Sequence, residues 1–291
     1  MRARAYADLL ALVRVACTHA SRAGPELPAL PFYVRDHIVG WLRPSLADRL
    51  RHWPHYFEVG DAYVTLRAQP DTAAARTAAM AEVTRDLARD GAILGWRDEP
   101  VSVAERHGAP ELFRVERAAT RTFGFTAYGA HLNGFTRIGG RIHVWISRRS
   151  PRKAVDPDKL DNLVGGRIAA GMSVDETLRK ESWEEAGLAP ALLGDLNCAG
   201  AVRVEYPVPE GLHREILFVH DLWLPPDVTP VNQDGEVAEI RRMPVEEVMG
   251  EMLAGSFTLD AAAVMVDGLL RLGAIPPEDP QYLDLLRLLK P

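Results

Sequence analysis

The chain has 291 residues, with 34 Lys and Arg against 40 Asp and Glu, a formal charge of −6 at pH 7, 47% hydrophobic residues and 25% charged residues. A chain of this length and apolar content buries a self-sufficient core, and its acidic balance argues against a general nucleic-acid binder, which needs a basic excess. Two cysteines, Cys17 and Cys198, are too few for a disulfide framework or a four-cysteine zinc site, and no apolar run approaches the roughly 20 residues of a spanning helix, so a cytoplasmic protein without membrane or nucleic-acid partners is expected.

Leu9, Leu12, Val13 and Ala16 fall at i, i+3, i+4 and i+7, the stripe of an amphipathic helix. The cluster Gly24-Pro25-Glu26-Leu27-Pro28 breaks the chain. Residues 32–34 and 38–42 read as a hairpin around Asp36-His37, residues 46–50 as a brief helix, and residues 56–59 and 62–66 as a second hairpin about Gly60-Asp61. Residues 71–90 form a helix capped by Asp71 or Thr72 and ended by Gly91. Aromatic and glycine residues crowd 113–145, with a strand at 142–146 and a charged loop over 147–157. A strand and glycine turn at 163–171 lead into the helix 173–186. Strands follow at 199–206, 215–224 and 237–243, and helices at 245–253 and 259–272. The change of pattern near residue 120 divides the chain into 1–120 and 121–291. Cys198 has no nearby histidine to activate it and reads as a small buried residue.

The helix 173–186 carries the strongest chemical signal. Ser173 and Glu176 have capping-box spacing, and Gly187 stands where a left-handed C-terminal cap belongs. Between them Glu181, Glu184 and Glu185 share one side of the last two turns, where they repel one another and oppose the helix dipole. A solvated acidic face is the plain explanation. A hard divalent cation among oxygen ligands removes the penalty and is the reading adopted.

The stretch from Gly166 to Leu188 resembles the Nudix box, Gly-x5-Glu-x7-Arg-Glu-U-x-Glu-Glu-x-Gly-U, with U a bulky apolar residue. Gly166, Glu181, Glu184, Glu185 and Gly187-Leu188 match it. Met172 stands in place of its first glutamate, Lys180 of its arginine and Ser182 of its apolar residue. Lysine lacks the bidentate fork of arginine, which weakens support for the ligands. Five further stretches look like the Nudix branch related to the domain upstream of fungal thiamine pyrophosphokinases: Trp96-Arg97-Asp98-Glu99, Val115-Glu116-Arg117-Ala118-Ala119, Tyr128-Gly129-Ala130-His131-Leu132-Asn133-Gly134, Trp145-Ile146-Ser147-Arg148-Arg149-Ser150 and Leu160-Asp161-Asn162.

That resemblance implies an α/β (α+β) protein, a Nudix α/β/α sandwich around a mixed sheet with an additional N-terminal α+β domain involved in substrate recognition. It implies a Mg²⁺- or Mn²⁺-dependent hydrolase that cleaves a small-molecule diphosphate, thiamine diphosphate or a damaged relative, to a monophosphate. Glu181, Glu184, Glu185 and the main-chain oxygen of Gly166 would be the metal ligands, and Glu184, Glu185 or Glu236 would serve catalysis. Residues 137–153 hold Arg137, Arg141, Arg148, Arg149, Arg152 and Lys153 with no acidic residue. Arg148, Arg149 and Lys153 are the expected phosphate contacts. His131 and Asn133, two apart on a strand, share a face and are the expected ring contacts, with satisfaction of buried backbone as their alternative role. Another nucleoside-diphosphate-type substrate, a catalytically weak diphosphate-binding module, and monomer against homodimer all stay open.

Overall fold

The computed structural model describes residues 2–17 and 29–290, so the breaker cluster at 24–28 lies outside the described residues. The first hairpin is β1 (Leu30–Val34) with β2 (His37–Leu42), followed by α2 (Pro44–Leu50) after the N-terminal helix α1 (Arg2–Ala16). The second is β3 (Phe57–Val59) with β4 (Val64–Leu66). Parallel pairing of β4 with β1 completes a sheet in the order β2-β1-β4-β3. Helix α3 (Ala73–Arg89) begins at Thr72, whose hydroxyl accepts from Ala75 N–H, and a short β5 (Pro100–Val103) and β6 (Phe113–Glu116) pair follows. Phe32, Val34, Leu42, Met80, Val83, Leu87 and Phe113 close this core.

After α4 (Ala119–Phe123) come β7 (Ala127–Ile138), β8 (Arg141–Arg149), β9 (Leu160–Asp161), β10 (Val164–Arg167), α5 (Val174–Ala186), α6 (Pro190–Leu193), β11 (Cys198–Val208), β12 (Gly211–Trp223), β13 (Val237–Pro244), α7 (Val245–Leu253), α8 (Leu259–Arg271) and α9 (Tyr282–Leu289). The sheet runs β11-β12-β7-β8-β13, with β10 paired to β7 and β9 to β8. Only the β12–β7 pairing is parallel, which makes it mixed. Leu178 and Ala186 of α5 pack with Ala130, Leu132 and Leu222 on one face. Phe135, Ile146, Leu217 and Val219 meet α1, α7, α8 and α9 on the other. These are the three layers of an α/β/α sandwich.

Three expectations change. Helix α1 packs against α7, α8 and α9, not within the N-terminal unit. Its stripe of Leu9, Val13 and Ala16 is fully buried there, because the apolar α8 offers a face the small first sheet does not. The loop expected from 147 begins only after Arg149, since β8 continues through Ser147 and Arg148 to pair with β13 and β9. Cys198 is exposed, whereas Cys17 is the buried cysteine, its thiol pushed up to about 12 by burial.

The capping box of α5 is complete: Ser173 Oγ accepts from Glu176 N–H, and the Glu176 carboxylate accepts from Ser173 N–H at 2.8 Å. Gly187 closes the helix with φ of 61°, a left-handed conformation in which a Cβ is strained. Ser173→Ala is expected to cost about 1 kcal/mol, read as a lowered urea midpoint with unchanged m-value.

Candidate active site

Helix α5 lies against β10 so that Glu181 and Glu185, four residues apart, face Gly165-Gly166. Gly165 N–H donates to Glu185 Oε2 at 2.9 Å. A Cβ on Gly166 would overlap the Glu181 side chain, so glycine is what lets the carboxylate come this close. Burial raises the carboxyls of both glutamates, that of Glu185 to about 8. Glu184 is more open, and Lys180 Nζ bridges it (2.9 Å) to Glu181 (3.1 Å).

The loop before β13 delivers Glu236 to the same place. Lys153 Nζ pairs with Glu236 Oε2 and stands 3.9 Å from Glu185 Oε1. Four carboxylates, Glu181, Glu184, Glu185 and Glu236, thus gather around two ammonium groups, Lys153 and Lys180. Fully ionised, the cluster has an excess of two negative charges on hard oxygen donors in a partly buried setting, which fits one divalent cation; with no cation bound, burial keeps the proton on Glu185 up to about pH 8.

The backbone donor differs from expectation. Gly165 pairs with His131 and Gly166 with Ala130 across β10 and β7. Gly165 spends its N–H on Glu185, so in extended backbone its carbonyl also points away from β7, toward the carboxylates. The Gly166 oxygen lies on the ladder side, 3.3 Å from the Cβ position of Gly129. Gly165, and not Gly166, therefore turns an oxygen to the acidic cluster.

Beside the cluster opens a cleft of about 630 Å³ whose walls come from both halves of the chain. His131, Lys153, Gly165 and Glu236 line one wall, and Leu94, Arg97, Arg117 and Ala118 the other. Arg149 lines it too, but its guanidinium is committed to Asp161 (2.8 Å) and to the carbonyls of Val155 and Asp156, so it fastens the 150–158 loop. Arg148 does not reach the cleft: strand alternation turns it outward, where it pairs with Asp158 and Glu239. Asn133 is fully buried behind His131 and bonds Asp221 and Asn162, so it touches no substrate.

The cleft floor holds groups that sequence reading did not single out. Arg167 NH2 donates to Glu215 Oε2 (2.9 Å) and Arg121 Nε to His213 Nδ1 (3.1 Å), while Asp260 accepts from His213 Nε2 (3.1 Å) and from Tyr206 OH (3.0 Å). Burial opposes charge on Glu215 and Asp260. Arg167 and then His213 override it for Glu215, and His213 overrides it for Asp260, holding both carboxyls below their usual range. His213, Glu215 and Asp260 come close enough together to suggest a metal triad. Arg167 pairs with Glu215, Asp260 takes hydrogen bonds from His213 and Tyr206, and both histidine nitrogens are engaged, so its hydrogen bonds close without a cation. The uncompensated charge is at α5.

Residues 11–127 match a domain of unknown function (DUF4743) and residues 133–263 the NUDIX domain. The chain is 38% identical to Nudix hydrolase 24, chloroplastic, of Arabidopsis thaliana over 90% of its own length and 72% of that protein's. It is 36% identical to Nudix hydrolase 20, chloroplastic, of the same plant over the same shares. An uncharacterized protein of Saccharomyces cerevisiae is 32% identical over 67% of this chain and 60% of its own.

Proposed function

The chain belongs to the Nudix hydrolase family, hydrolases of pyrophosphate bonds, and from that premise we propose that it cleaves thiamine diphosphate, or a damaged analogue, to the monophosphate with Mg²⁺ or Mn²⁺. The observation that carries the diphosphate reading is the two-charge excess of carboxylate at Glu181, Glu184, Glu185 and Glu236 beside a cleft lined by cations. The ring is assigned through the second wall. Arg97, Arg117 and Ala118 of that wall belong to the two stretches of the N-terminal half that resemble the thiamine-linked branch.

Glu181, Glu184, Glu185 and the Gly165 carbonyl would hold the cation. When bound, it polarises phosphorus and lowers the pKa of a water. Glu236, at the rim of the cluster, accepts the proton of the attacking water, and Lys153 offers its ammonium to a phosphate oxygen. Water adds to phosphorus as the bridging oxygen leaves with the monophosphate. No helix among the described residues is long and apolar enough to cross a membrane. With Cys17 buried and Cys198 exposed as free thiols, a reducing compartment such as the cytoplasm is the setting we assign, although two plant relatives are named chloroplastic.

A hydrolysis screen with thiamine diphosphate, its oxidised analogues, ADP-ribose and nucleoside triphosphates tests this. Phosphate release with Mg²⁺ or Mn²⁺, lost on chelation and best with the thiamine series, is expected. Preference for a nucleotide would reassign the substrate, and metal-independent silence on every compound would leave a binding module.

A further inference from the structure

His131 is a cleft-lining side chain only 8% exposed. Its Nδ1 lies 2.8 Å from Asn162 Oδ1, while Nε2 has no hydrogen-bond partner among the described residues. The ring rests on Gly165, where a Cβ would stand 2.9 Å from Cε1, so it abuts the strand that carries the acidic cluster.

Behind it runs a chain of buried polar groups whose direction is fixed from the far end. The Asp221 carboxylate, gripped by Arg271 through Nε (2.7 Å) and NH2 (2.8 Å), is an acceptor only. Asn133, directly opposite Asp221 across the β7–β12 pair, therefore donates from Nδ2 (3.0 Å) and keeps Oδ1 as acceptor. Asn162 must then donate from Nδ2 to Asn133 Oδ1 (3.0 Å), an orientation the Ala261 carbonyl at 3.4 Å also favours. Its Oδ1 is left for His131, and an amide oxygen accepts only. His131 Nδ1 consequently carries a proton, and in the neutral form of the ring the lone pair stands at Nε2. Asn133 and Asn162 are 0% and 1% exposed, so no water relaxes this polarity.

We propose that the Asp221–Asn133–Asn162 relay locks His131 in the Nδ1–H tautomer so that Nε2 accepts a hydrogen bond from an N–H or O–H donor on the organic part of the substrate. This rests on reading the cleft as the diphosphate substrate's. His131 is the contact, and Asn162 and Asn133 are positioning residues. A nearly buried lone pair without a donor is costly, so the site discriminates against ligands whose ring lacks one.

The test begins with long-range ¹H–¹⁵N spectra of ¹⁵N-histidine-labelled protein at pH 8, His131 being assigned by its loss in His131→Gln. Protonated Nδ1 and bare Nε2 are expected, and the opposite tautomer overturns the proposal. Thiamine monophosphate, whose ring carries an amino donor, should shift the Nε2 signal, and methyl diphosphate should not. No shift with the ring compound at saturation overturns the ligand class without touching the diphosphatase reading. In kinetics, His131→Phe and Asn162→Leu should raise KM for thiamine diphosphate roughly tenfold, the worth of one hydrogen bond, with kcat within about twofold. Methyl diphosphate turnover should not change, and equal losses on both substrates would place His131 at the phosphate instead. Asn162→Asp still accepts from Nδ1 and should keep the proton there, but it cannot donate to Asn133 Oδ1, so the spectrum rather than the affinity is its readout, and a proton moved from Nδ1 to Nε2 in this variant overturns the proposal. Wild-type enzyme that cleaves neither diphosphate would sink the functional reading while leaving the tautomer result to stand.

Discussion

Glu185→Gln is expected to lower kcat by roughly three orders of magnitude, because one metal-holding carboxylate is asked for several kcal/mol of charge stabilisation and each 1.36 kcal/mol is tenfold in rate. The same substitution should make the metal-free protein more stable. Burial lifts the Glu185 carboxyl from 4.5 to about 8, so between those values the folded chain holds a proton the unfolded chain has released. Stability is therefore lost as pH rises through that window, and at pH 7 the cost is about 3 kcal/mol. Glutamine keeps an oxygen for Gly165 N–H and carries no charge to desolvate. Urea denaturation with chelator present should show the variant ahead of wild type at pH 7 and level with it near pH 4. Added Mg²⁺ should stabilise wild type and leave the variant behind. A variant less stable than wild type at pH 7 in chelator would mean that the acidic cluster is already compensated and needs no cation.

Helix α5 was legible because its information is local: cap, period and terminal glycine all lie within fifteen residues, and the carboxylates repel at spacings that sequence alone specifies. Strand β7, the centre of the sheet, was not. It is buried on both faces and interrupted by Gly129 and Gly134, so it shows neither alternation nor a clean apolar run. Missing that β8 extends to Arg149 hid the alternation that sends Arg148 out and Arg149 in. The choice of Gly166 over Gly165 had the same root, since which carbonyl is spent in the ladder depends on pairing with β7. The cleft floor was beyond local reading: Arg121, Arg167, His213, Glu215 and Asp260 come from four elements, α4, β10, β12 and α8, brought together by the pairing of β10 and β12 with β7 and by the start of α8. His213 and Glu215, polar residues at the alternate buried positions that Leu217 and Val219 continue along β12, were the one available hint.

Arg167→Met should cost 3–5 kcal/mol at pH 7, the usual penalty for stranding one member of a buried ion pair. Arg167 is 12% exposed and Glu215 7%, and the guanidinium also donates to Thr120 Oγ1 at 3.2 Å, tying β10 to α4. The pH dependence distinguishes this from simple loss of packing. In wild type, burial would raise the Glu215 carboxyl, but Arg167 and then His213 hold it low. Its charge thus contributes stability above the ordinary carboxylate pKa, and that contribution fades as pH falls through the lowered folded value. Without Arg167, burial prevails, the carboxyl rises above its usual value, and stability declines as pH climbs from about 5 toward 8. The deficit of Arg167→Met relative to wild type should therefore be largest at pH 8 and shrink toward pH 5 in urea titrations, and a constant deficit across that range would assign the whole effect to packing. Arg167→Met combined with Glu215→Met should recover most of the loss, since an apolar pair in place of a buried ion pair is often neutral or stabilising. The double variant removes one positive and one negative charge together, so the net charge of the cleft floor is unchanged. Diphosphate KM should therefore stay near that of wild type in the refolded, stable double mutant, which assigns the arginine a structural contribution to the site.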